Sequence, residues 1–135
     1  MKAAVLLAVD DNPDALELIC DAFTEEGHLV ICARSGPEAL RILRTQHVDV
    51  ALADIRMPDM NGFALLEVIR ATPGLEQLPV IMQTADPSRE HGRRVVDSRV
   101  SYMLAKPLNI ELLLDAVHEC LQVPRQGSAV SCERQ

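Results

Sequence analysis

The sequence has no stretch approaching the ~20 consecutive apolar residues of a membrane span, so a membrane-embedded role is not expected. Its one leader-like feature, Met1-Lys2 followed by the apolar Ala3 to Val9, is short and ends in Asp10-Asp11 without a small-residue cleavage site. A first buried strand is expected there instead. Basic residues are scarce, with 13 Lys and Arg against 20 Asp and Glu and a formal charge of −7. That balance argues against direct nucleic-acid binding, which needs clustered cations to neutralise phosphates. Any phosphate handled here needs a local cation. The four cysteines, Cys20, Cys32, Cys120 and Cys132, form no C-x-x-C pair and are scattered among helix and strand patterns. Neither a metal cluster nor a disulfide framework is expected, and reduced thiols of a cytoplasmic protein fit best. The 135 residues leave no room for a second domain, and 48% hydrophobic with 24% charged residues is a soluble globular composition.

What is present alternates between two periodicities. After the first strand, Asn12 can cap a helix and Pro13 can occupy its first turn. Ala15, Leu16, Ile19, Ala22 and Phe23 then repeat at helical spacing, predicting a helix over Pro13 to Glu26 that stops at Gly27. His28 to Ala33 reads as a second strand. Ser35 caps a second helix, with Ala39, Leu40 and Leu43 as its apolar positions. Val48 to Ala53 is apolar apart from Asp49, as in a strand buried on both faces of a parallel sheet, and Asp54 is its last residue. Gly62 to Thr72 is a third helix closed by Pro73-Gly74, and Pro79 to Gln83 a fourth strand. Pro87 to Ser98 is helical by position, although it is polar and contains Gly92, which costs about 1 kcal/mol against Ala in a helix interior. Val100 to Ala105 is a fifth strand. Asn109 to Leu121 is the strongest helix, with Leu112, Leu113, Ala116, Val117, Cys120 and Leu121 assigned to one face. Residues 1–122 form the domain, and 123–135 are expected to be a disordered tail or a truncated linker. Five strands alternating with five helices across short turns give a doubly wound α/β fold.

Four positions gain meaning together because each ends a different strand: Asp10-Asp11, Asp54, Thr84 and Lys106. Ligands of open α/β sheets sit outside the carboxyl ends of the strands, so one rim collects all four. Three crowded carboxylates repel one another and are kept ionised most cheaply by a hard divalent cation with oxygen ligands, for which Mg²⁺ is the natural choice. Lys106, one of two lysines in the chain, follows the apolar YMLA, where a cation is costly without a carboxylate partner. A nucleophilic carboxylate, a metal, a lysine and a hydroxyl are what phosphoryl transfer to Asp requires. Each has a plainer reading alone: a capping pair for Asp10-Asp11, a turn residue for Asp54, a strand-end hydroxyl for Thr84 and a snorkelling surface lysine for Lys106. Their coincidence on one rim in this order favours the chemical one.

With these residues in view, residues 3–122 resemble the receiver domain of two-component response regulators. The resemblance is carried by VDD at Val9 to Asp11, D-x-x-M-P-x-x-x-G from Asp54 to Gly62, Thr84-Ala85 and Lys106-Pro107. It implies a flavodoxin-like five-stranded parallel sheet of order 2-1-3-4-5, an order met in the chemotaxis member that serves as a standard example of this fold. It further implies that Asp54 is the phosphoacceptor and that Thr84 and Lys106 contact the phosphoryl group. Mg²⁺ would be held by Asp11, Asp54 and the backbone carbonyl of Arg56, with Asp10 helping through water. A cis Lys106-Pro107 bond is also implied. The implied partners are a sensor histidine kinase or phosphotransfer protein, and a downstream protein target or a lost output domain, with a homodimer left open. Two departures concern the switch. Met103 stands where the family usually has an aromatic residue, and Tyr102 is one place earlier, so its ring is expected on the opposite face of the strand. Arg99-Val100 replaces the usual Gly-Ala before that strand. Two alternatives stand beside a phosphorylatable switch. A haloacid-dehalogenase-like phosphatase resembles D-x-D after its first strand, where this chain has Asp10-Asp11-Asn12, and a receiver-shaped module could work unphosphorylated.

Overall fold

The computed structural model describes residues 3–84, 102–107 and 109–122. The helix expected over Pro87 to Ser98, the Arg99-Val100 pair, Ala85 of the threonine motif, Cys132 and the tail from 123 lie outside the described residues.

Five parallel strands, β1 (Val5–Val9), β2 (Leu29–Ala33), β3 (Val50–Asp54), β4 (Val80–Thr84) and β5 (Tyr102–Ala105), form one sheet in the order β2-β1-β3-β4-β5. The described helices are α1 (Pro13–Glu25), α2 (Gly36–Thr45), α3 (Gly62–Ala71) and α4 (Ile110–Gln122), the last being the helix expected from Asn109. Strand alternation feeds two cores. Leu6 and Ala8 of β1, Val50 and Leu52 of β3 and Ile81 of β4 pack with Leu16, Ile19 and Phe23 of α1 and Leu113, Ala116 and Val117 of α4. Leu7 and Val9, Ala51 and Ala53, and Val80 and Met82 face Leu40 and Leu43 of α2 and Phe63, Leu66 and Ile69 of α3. With helices covering both faces, β3 and β4 are buried at every position, which is why their sequences run apolar rather than alternating.

Helix entries are set by short polar side chains. The Asn12 side-chain oxygen accepts from the Asp14 N–H at 2.9 Å with Pro13 behind it, and Ser35 Oγ accepts from the Glu38 N–H at 3.2 Å. Glu38 Oε1 reaches back to the Arg34 N–H at 2.8 Å, and Asn61 accepts from the Ala64 N–H at 2.9 Å. Gly27 ends α1 with φ +89°, a conformation that favours a residue without Cβ.

Two expectations need correction. β3 runs from Val50 rather than from Val48; just before it, Asp49 Oδ2 accepts from the Val5 N–H of β1 at 2.8 Å and the Asp49 N–H donates to the Val5 carbonyl. Leu112 does not share the buried face of α4 and is 55% exposed. Being an edge strand, β2 leaves Leu29 and Cys32 exposed despite its apolar sequence. No helix among the described residues is long and apolar enough to cross a membrane.

Candidate functional site

Parallel pairing sets the depth of each strand end, and register gathers the polar ends on one rim. Val9 pairs with Ala33 and Ala53, Asp54 with Gln83, and Thr84 with Ala105, so Asp10, Asp54, Thr84 and Lys106 emerge close to one level. Two further bonds lock these ends. The Asp10 N–H donates to the Ala33 carbonyl at 3.0 Å and the Lys106 N–H to the Thr84 carbonyl at 2.8 Å. The Lys106-Pro107 bond is cis, as expected.

Asp54 is buried, yet it is the partner of a charge. Lys106 Nζ lies 2.8 Å from its Oδ2, and its Oδ1 accepts from the Arg56 N–H at 3.3 Å. Asp10 is also buried, and its Oδ1 accepts from the Asn12 N–H at 3.0 Å. Its Oδ2 is buried with no hydrogen-bond partner among the described residues. Burial is the main reason its carboxyl is pushed above the usual aspartate range. The Asn12 N–H opposes that, the Asp54 charge adds to it, Lys106 opposes it and Asp11 adds a little. Asp11 is exposed, and Asp10, Asp11 and Asp54 each bring a carboxylate oxygen within 4.8 Å of the other two. Among the described residues, three carboxylates facing one lysine leave an excess of negative charge. An orphaned buried Asp10 oxygen, a hard all-oxygen donor set and that excess fit a divalent cation of the Mg²⁺ type.

The loop after β3 explains residues whose role spacing alone did not reveal. A Cβ on Gly62 would stand 2.9 Å from the Asp54 carbonyl oxygen and 3.0 Å from Ile55 Cα, and the Gly62 N–H donates to the Ile55 carbonyl at 2.8 Å. Gly62 therefore lets α3 start directly against the end of β3, and it fixes the path of the intervening loop. Asp59 takes a left-handed φ of +66° to complete the turn. Gly36 was not singled out by its sequence context, because its constraint comes from a distant residue: a Cβ there would meet Met60 Sδ at 2.6 Å.

The switch positions separate as the alternation requires. Met103 pairs with Met82 and packs against the α2–α3 core, on the same sheet face as Thr84. Tyr102 packs on the α1–α4 side, where its hydroxyl donates to Glu119 of α4. That hydrogen bond, helped by burial and the Glu119 charge, pushes the phenol up to about 12. The structure thus brings together Asp10, Asp11, Asp54 and Lys106, places Thr84 buried at the neighbouring strand end, and keeps Tyr102 away from them. The Arg56 N–H donates to Asp54 Oδ1, which ties the residue whose carbonyl is expected at the metal to the carboxylate.

A family model described as the response regulator receiver domain matches residues 6–118. The Escherichia coli K12 transcriptional regulatory protein GlrR is 37% identical over 122 residues, which cover 90% of this chain and 27% of that protein. The chain therefore spans about a quarter of that relative. Among solved structures, the receiver domain of a signal transduction histidine kinase from Syntrophus aciditrophicus superposes with a TM-score of 0.83 at 27% identity, covering 94% of this chain and 96% of that one. The receiver domain of the sensor histidine kinase PA1611 from Pseudomonas aeruginosa PAO1, described with a magnesium ion coordinated in its active-site cleft, gives 0.81 at 25% identity, with 90% and 99% covered.

Proposed function

The chain belongs to the response regulator receiver domain family, and from that premise we propose that Asp54 accepts a phosphoryl group and that its phosphorylation sets the signalling state. The observation that carries this reading is the 2.8 Å ion pair between Lys106 and the buried Asp54, inside a cluster of three carboxylates. A lysine held there sets a cation directly against the carboxylate proposed to attack phosphorus. It also brings a cation to the charge that develops on the phosphoryl oxygens.

In the proposed transfer, an Asp54 carboxylate oxygen forms a bond to phosphorus as the bond from phosphorus to the donor's imidazole nitrogen breaks, and the imidazole leaves with that electron pair. Lys106 follows the charge from the carboxylate to a phosphoryl oxygen. Thr84, buried at the end of β4, offers its hydroxyl to a second. Asp10, Asp11, Asp54 and the Arg56 carbonyl would hold Mg²⁺, which when bound supplies charge neutralisation for the phosphoryl oxygens. The domain is a signalling module rather than a classical enzyme, and catalysis of its own phosphoryl transfer and hydrolysis belongs to this proposal. The donor is proposed to be a histidine kinase or phosphotransfer protein in the cytoplasm, and the recipient of the signal a protein surface or an output domain.

The test is intact-mass measurement after incubation with a small phosphodonor and Mg²⁺. One phosphoryl adduct is expected on the wild-type chain and none on Asp54→Asn, which keeps the shape and removes the nucleophile. Undiminished labelling of Asp54→Asn would overturn the assignment, and no adduct on folded wild-type protein would favour a module that works unphosphorylated.

A further inference from the structure

Away from the acidic rim, two cysteines that play no part in the phosphoryl chemistry share one corner of the fold. Cys32 lies on β2, the strand at the sheet edge, where it is exposed and pairs with Ala8 of β1. Alternation decides which way it faces. Ile31 joins the α2–α3 core, whereas Val30 packs with the α1–α4 core, so Cys32, two residues after Val30, shares the face covered by α1. Cys20 is on α1, half-buried, one residue past the core residue Ile19 and three before Phe23. It sits about two helical turns from Pro13. That brings it down from the rim to the middle of the sheet, and Cys32 is one residue short of the end of its strand. Helical side chains lean toward the helix N-terminus, here toward the rim and the level of Cys32.

We propose that Cys20 and Cys32 are a redox-sensitive dithiol that closes into a disulfide joining α1 to the β2 edge, with a small-molecule disulfide as the oxidant.

The electrostatics agree with the geometry. The Cys32 thiol is held above its ordinary range by burial, then by Cys20, then by Glu38. The same shift sets the reaction class. A thiol held protonated at neutral pH reacts slowly, and the pair closes by thiol–disulfide exchange rather than acting as a fast peroxide sensor. The Cys32 thiolate attacks one sulfur of the small disulfide, whose S–S bond breaks, giving a mixed disulfide and one small thiolate. The Cys20 thiolate then attacks the Cys32 sulfur and expels the second small thiolate. The protein gains one S–S bond and gives up two protons, which the two small thiolates take up; the small disulfide is reduced by two electrons. Cys120, buried in α4 with its thiol pushed up to about 11, is a bystander.

Glutathione disulfide is the probe, added at pH 8 to the full chain carrying Cys120→Ser and Cys132→Ser, which leaves only the proposed pair. The expected product is a monomer about 2 Da lighter, because closing an S–S bond removes two hydrogens. Its Cys20 and Cys32 peptides are joined until reductant is added, and its thermal midpoint rises by several degrees over the reduced form. Adding Cys20→Ser should halt the reaction at a stable glutathione adduct on Cys32. A persistent adduct with Cys20 present, or a reducible dimer instead of the lighter monomer, overturns the proposal. Peptide mapping of the oxidised wild-type chain gives the same decision should the double variant fold poorly: a Cys20–Cys32 crosslink supports the pair, and any other pairing refutes it.

Discussion

Asp10 is the residue at which burial and charge are most opposed. Its carboxyl is pushed above the usual range chiefly by burial, so the folded chain keeps this proton to a higher pH than an unfolded aspartate does. The associated stability is fully present below the pKa of an unfolded aspartate and is lost as pH rises through the higher folded value. A divalent cation needs the ionised form. Mg²⁺ affinity should therefore climb as pH rises through that same window and level off above it, with a proton released on binding inside the window. Titrating Mg²⁺ by amide chemical shifts at a series of pH values checks this; an affinity that is flat across the carboxylate range would remove Asp10 from the site. Tyr102 gives a second pH readout. With its phenol at about 12 because the hydroxyl donates to Glu119, its contribution holds below the ordinary tyrosine range near 10 and fades as pH rises through 12. Glu119→Gln should move the phenol's ultraviolet titration back toward 10 while leaving Asp54 labelling intact. An unmoved titration would mean that Glu119 is not the cause.

At the level of elements, the β3-loop-α3 unit is held by the absence of a side chain. Gly62→Ala would put a carbon against the Asp54 carbonyl and Ile55 Cα, both backbone and unable to swing away. A loss of about 1–3 kcal/mol in denaturant unfolding is expected, together with slower labelling of Asp54 because the loop carrying Arg56 must shift. Unchanged stability and rate would show that α3 can retreat freely. This unit also marks what was legible in the sequence. Asp54, Thr84, Lys106 and the Asp10-Asp11 pair were readable because each terminates an apolar run, a local pattern. Gly36 was not, because its neighbour Met60 lies far along the chain, and neither was the exposure of Leu112, since helical periodicity places it beside core residues without showing where the sheet ends. The bonds that Asp49 makes to Val5, 44 residues away, were not legible either, because they are tertiary and no local pattern reports them. The opposite orientations of Met103 and Tyr102 were readable, since strand periodicity is strict.

For the molecule as a whole, the acidic rim concentrates charge that the rest of the fold must tolerate. Among the described residues, Asp10 Oδ2 is buried without a hydrogen-bond partner, Asp10, Asp11 and Asp54 bring carboxylate oxygens within 4.8 Å of one another, and one lysine, Lys106, pairs with Asp54. A ligand that binds the folded chain and not the unfolded one stabilises it by mass action, by about 1.4 kcal/mol at ten times its dissociation constant. Mg²⁺ should accordingly raise the unfolding midpoint in a saturable way at neutral pH, and monovalent salt at matched ionic strength should not reproduce the effect. Asp10→Asn separates the two halves of this argument. Removing the buried charge should make the metal-free protein as stable as the wild type or more so, because an amide carries no desolvation penalty of that size. The same variant should lose most of the Mg²⁺-dependent rise, because a ligand oxygen and a negative charge are gone. Differential scanning calorimetry of both proteins with and without Mg²⁺ reads the four states. If Asp10→Asn were destabilised without metal yet stabilised by Mg²⁺ as fully as the wild type, the rim would be held together by something other than relief of its own repulsion.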